Sequence, residues 1–95
     1  MTVNECLAAA TDSVTIINDI NSKGKASEYV MASDYSKGVT QADLNAKVRA
    51  SIEHLTLILE YDGSRGNPNI KDATVDKSSY TTAITTGNTY LSKNS

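Results

Sequence analysis

Nucleophilic chemistry in this chain would require Cys6, its only cysteine, to meet His54, its only histidine. A thiol and an imidazole within hydrogen-bond reach make a nucleophile–base pair. Both residues, however, have a simpler place in the periodicity of the chain. Cys6 falls on the apolar side of a helical pattern, where a small buried thiol packs as a hydrophobe. His54 falls at the margin of a second helical pattern. Its neighbours four residues away are Ala50 and Ile58, which ligate no metal. The spacing predicts a packed cysteine and a half-covered histidine, and it nominates no catalytic residue.

Metal chemistry finds no better ligand set. No two carboxylates share an i, i+3 or i, i+4 spacing within one helical segment, and neither C-x-x-C nor H-E-x-x-H occurs. The stretch "DGSRGNPNIKD", residues 62–72, resembles a calcium loop only superficially. Ser64 and Gly66 stand at its third and fifth positions, and Ala73 replaces the twelfth-position glutamate. A phosphate cradle fails there too, because Pro68 removes a backbone donor and no lysine-bearing helix start follows. The stretch reads as a connector in which Arg65, with Asn67 and Lys71, offers the one alternative: contacts to a small anionic ligand or a nucleic-acid end. No cofactor is implied.

Composition bounds the rest. Ninety-five residues make a single small domain, residues 1–95, whose modest core makes self-association a common remedy. Nine basic residues face eleven acidic ones, interspersed, for a net charge of −2. That balance disfavours a nucleic-acid backbone as partner. A lone cysteine cannot form an internal disulfide, no basic leader precedes an apolar run, and no stretch approaches the roughly 20 apolar residues of a membrane span. The expectation is a soluble protein of the cytoplasm, or one associated with a virion in a host cell, with no membrane partner.

Three segments must position whatever chemistry exists. Thr2 and Glu5 have capping-box spacing, and Val3, Leu7, Ala10, Val14 and Ile17 follow at steps of four and three. Cys6, Ser13 and Ile20 widen that stripe to about 140°, so a helix is predicted over 3–22. Thr40 as N-cap and Asp43 at the third position open a second helix over 41–61, with Leu44, Val48, Ile52, Leu55, Ile58 and Leu59 on one face. Val39 and Leu44 suit a hydrophobic staple.

The segment 76–91 is contested. Tyr80, Ala83, Ile84, Gly87, Tyr90 and Leu91 share one helical face, with Asp76 as cap. Its many threonines favour strands, and Gly87-Asn88 suits a hairpin turn. The helical period is cleaner, and the helix is preferred, with Gly87 admitting a neighbouring backbone. The resulting fold is all-α: a small up-and-down bundle of three main helices, with a short extra helix allowed at about 26–36. The alternative is α+β, with short strands at about 27–35 and 80–91.

The second helix is apolar on two sides. Ala46, Ala50, Leu57 and Tyr61 gather opposite its main stripe. Such a face is sandwiched within the domain or covered by another chain, which makes these four residues the candidate interaction surface.

The residues "HLTLILEYDG", then "DATVDKSSYTTAITTGNTYLSKNS", resemble in style and composition the small helical proteins of marine bacteriophages, especially those of cyanobacteria. The resemblance implies a phage-type accessory or virion-associated protein and carries no site residues across. The expected function is that of a non-enzymatic structural or protein-interaction domain, self-associating as a homo-oligomer or bound to a protein partner.

Overall fold

A computed structural model describes residues 2–23 and 40–94. Three helices make up the fold: α1 (Val3–Lys23), α2 (Gln41–Leu59) and α3 (Ser78–Asn94). The short helix or strand expected near 26–36, and the Val39 half of the staple, lie outside the described residues. The bundle runs up, down and up. Ile20, near the end of α1, packs in one cluster with Leu44 and Val48 at the start of α2 and with Tyr90 at the end of α3. Cys6 and Ala10 share the opposite cluster with Leu55, Ile58 and Ala83. Ile52 packs against both clusters and joins them into one core.

Each helix begins where its local chemistry tells it to. The Thr2 hydroxyl accepts from the Glu5 N–H at 3.1 Å, and the Glu5 carboxylate accepts from the Thr2 N–H at 2.9 Å. Thr40 and Asp43 form the same reciprocal box at 3.1 and 3.3 Å. At α3, the Asp76 carboxylate accepts from the Ser78 N–H at 2.9 Å, while the Lys77 carbonyl takes the first helical bond, from Thr81. Asp76 thus orders the approach to the helix from one residue further out than a cap.

Segment 80–91 is helical, and among the described residues there is no strand, only an isolated antiparallel bridge between Asp62 and Asn69. Two of the five threonines of α3 satisfy their hydroxyls within the helix, on carbonyls of the preceding turn. Thr81 Oγ1 donates to the Ser78 carbonyl at 3.1 Å and Thr85 Oγ1 to that of Thr81 at 3.3 Å. Gly87 is buried, and a Cβ there would lie 2.8 Å from Ile52 Cδ1 and 3.3 Å from Val48 Cγ1. The close approach that glycine permits is therefore to the side chains of α2, not to a backbone.

The second helix ends at Leu59 rather than at 61. Its last turn tightens: Glu60 N–H donates to the Leu57 carbonyl and Tyr61 N–H to that of Ile58, at 3.2 and 3.1 Å. The connector then forms an ordered loop instead of a loose span. The Tyr61 carbonyl accepts from both Ile70 and Lys71 N–H at 2.8 Å, closing the loop at its neck. That closure drives Ile70 fully into the core, worth about 2 kcal/mol of apolar burial.

Candidate interaction surface

The exposed face of α2 and the loop beyond it carry the candidate residues. Ala46 and Ala50 are exposed on α2. Leu57, at 55% exposure, is the one exposed large hydrophobic among the described residues. These three lie within about 40° of one line at 100° per residue, on the side of α2 away from Leu44, Val48, Leu55 and Ile58, all buried. Tyr61 does not continue the line. It lies past the helix end, half-buried, with its ring packed against the core.

The loop turns back on itself through three residues of positive φ. Gly63 is at 91°, Arg65 at 57° and Gly66 at 78°. Asn67 N–H closes a turn onto the Ser64 carbonyl at 3.1 Å. Positive φ at both central residues, Arg65 and Gly66, is the pattern of a type I′ hairpin turn. Glycine tolerates it freely; for arginine it costs roughly 1 kcal/mol. Asp62 braces the turn, its Oδ1 accepting from the Ser64 hydroxyl at 2.6 Å and the Ser64 N–H at 3.1 Å. The Ser64 hydroxyl, then its N–H, with help from the Lys71 charge, holds the Asp62 carboxyl below the usual carboxylate range.

A cavity of about 280 Å³ forms where loop and helix meet, lined by Leu57, Glu60, Tyr61, Asp62, Ser64, Arg65 and Asn67. It joins half of the expected apolar surface, Leu57 and Tyr61, to two of the three expected anion contacts, Arg65 and Asn67. Lys71 is not in its wall: its N–H serves the neck of the loop, and its carbonyl accepts from Lys77 Nζ at 2.8 Å. Two carboxylates, of Glu60 and Asp62, stand in the wall beside the single guanidinium of Arg65.

The side chain that meets His54 is Ser13, not Cys6. Ser13 Oγ lies 3.0 Å from His54 Nδ1, and Cys6 is buried two turns earlier on α1. Beside the pair runs a shallow groove of about 330 Å³, lined also by Ile16, Lys47, Ala50 and Ser51. Ser13 is only 4% exposed, and among the described residues no carboxylate orients the ring. The bond is an interhelical tie between α1 and α2.

Sequence reasoning missed Ile70, Ser13 as the partner of His54, and a polar cluster at the other end of the bundle. There, buried Asn45 Nδ2 donates to the Asn94 carbonyl at 2.9 Å, and Gln41 Nε2 donates to Asn45 Oδ1 and Tyr90 OH at 3.0 and 2.7 Å. A lone isoleucine in a polar stretch was the available signal for Ile70. An asparagine one position from a core leucine gave none. Among the described residues no group of three metal-ligating side chains gathers, and no helix is long and apolar enough to cross a membrane. No known family model, curated protein or solved structure matches the chain.

Proposed function

We propose that this chain is a non-enzymatic protein-interaction domain that engages its partner through the outer face of α2. The observation that carries this reading is Leu57, held 55% exposed in line with Ala46 and Ala50 on a helix whose other face is locked into the core. Small residues flanking one large apolar side chain let another backbone approach, and the buried centre of such a patch supplies most of the binding energy. The ordered loop at its end adds a charged rim of Glu60, Asp62 and Arg65. The resemblance to small phage proteins fits an accessory or virion-associated role, in which such a domain would join a larger assembly.

A photo-crosslinking residue placed at Ala50 tests the reading in cells that express the full chain. A protein adduct is expected from Ala50 and not from Thr11, an exposed position on α1. Adducts from Thr11 alone would overturn the assignment of the α2 face.

A further inference from the structure

We infer that the occupant of this face is the α2 helix of a second copy, packed antiparallel about a two-fold axis; the inference rests on the α2 face being an interaction surface. The charge pattern selects it. Arg49 and Glu60 are both exposed and border the Ala46–Ala50–Leu57 line on the same side. Neither forms an ion pair among the described residues. In a parallel two-fold pair this flank would instead meet the opposite flank of the second copy, setting Arg49 beside Lys47 and leaving Glu60 with no cation at its level. In an antiparallel pair the same flanks meet with direction reversed.

Placing the axis midway between the two residues, level with 54 and 55, sets Arg49 of each copy opposite Glu60 of the other. The contact then occurs twice, as an isologous interface requires. The same register sets Leu57 level with residue 52 of the second copy, over the shallow hole between its Ala50 and Glu53. A knob is matched to a hole without adjusting anything further. Glu53 of the two copies approaches the axis and supplies the one like-charge repulsion in the arrangement.

Sedimentation equilibrium of the full chain from micromolar to millimolar concentration, in 50 mM NaCl, tests the pairing. The wild type is expected to dimerise and Leu57→Glu to remain monomeric, with circular dichroism unchanged because the site is exposed. Arg49→Glu and Glu60→Arg each weaken the dimer roughly tenfold, since every reversal acts twice. The double variant returns to within about threefold of wild type, and Glu53→Gln tightens it several-fold.

A dimer that survives Leu57→Glu overturns the pairing and the use of this face together. A double variant no better than its parents overturns the antiparallel register. A wild type monomeric throughout overturns the second copy as occupant. Crosslinked adducts of a different protein at Ala50 would then still uphold the interaction surface.

Discussion

Ser13 Oγ and His54 Nδ1 lie 3.0 Å apart and tie the middle of α1 to the middle of α2. Ser13 is buried while His54 faces solvent, so the bond satisfies a hydroxyl that would otherwise sit at the edge of the core. Ser13→Ala and His54→Ala are each expected to cost about 1 kcal/mol, and the double substitution less than their sum. Urea denaturation of the four proteins in the cycle measures this. Strict additivity would show that the two side chains are not coupled.

Ile70 pins the loop. Its truncation to alanine removes a fully buried side chain from a cluster built by all three helices. A loss of about 3 kcal/mol is expected. Lys71→Ala, one residue on and exposed, stays within about 0.5 kcal/mol. Thermal melts of the two variants separate an anchored loop from a slack one, which would show equal and small effects.

Gly87 sets the distance between α3 and α2. Alanine would gain about 1 kcal/mol of helix propensity. Its Cβ would also meet Ile52 Cγ1 at 3.0 Å and Val48 Cγ1 at 3.3 Å. Both neighbours are β-branched and fixed in rotamer on a helix, so they cannot turn away cheaply. Overpacking wins: Gly87→Ala is expected to destabilise by about 1 kcal/mol and Gly87→Val by about 3 kcal/mol. A stabilised alanine variant in denaturant titration would refute this.

Acid acts on the carboxylates at the helix starts and the loop. The backbone N–H and then the hydroxyl of Thr2 hold Glu5 below its ordinary 4.5, and the hydroxyl and then the N–H of Ser78 hold Asp76 below its ordinary 3.8. A carboxyl depressed on folding adds stability that is complete above its unfolded pKa and lost as pH falls through the folded one. The melting temperature should therefore hold near neutrality and drop once the pH passes below about 4.5. Glu5→Gln with Asp76→Asn should flatten that drop, and a curve with unchanged slope would count against the caps as its source.

The sequence alone determined the three helices, because what makes a helix is local. Caps are read within four residues, as at Thr2–Glu5 and Thr40–Asp43, and an apolar stripe is read within a few turns. That is why the period of Tyr80, Ala83, Ile84, Gly87 and Tyr90 outweighed the β-branched threonines between them. Only the tertiary structure decided what the helices leave uncovered. Ala46, Ala50 and Leu57 stay exposed because α1 and α3 both pack on the other side of α2. Tyr61 left that face because the last turn tightened and sent its ring toward the core. Ile70, His54 and Asn45 found partners far along the chain, through contacts that exist only once rotation and register between helices are fixed. Those are set by how side chains of several elements fill one volume, and no window of sequence contains them.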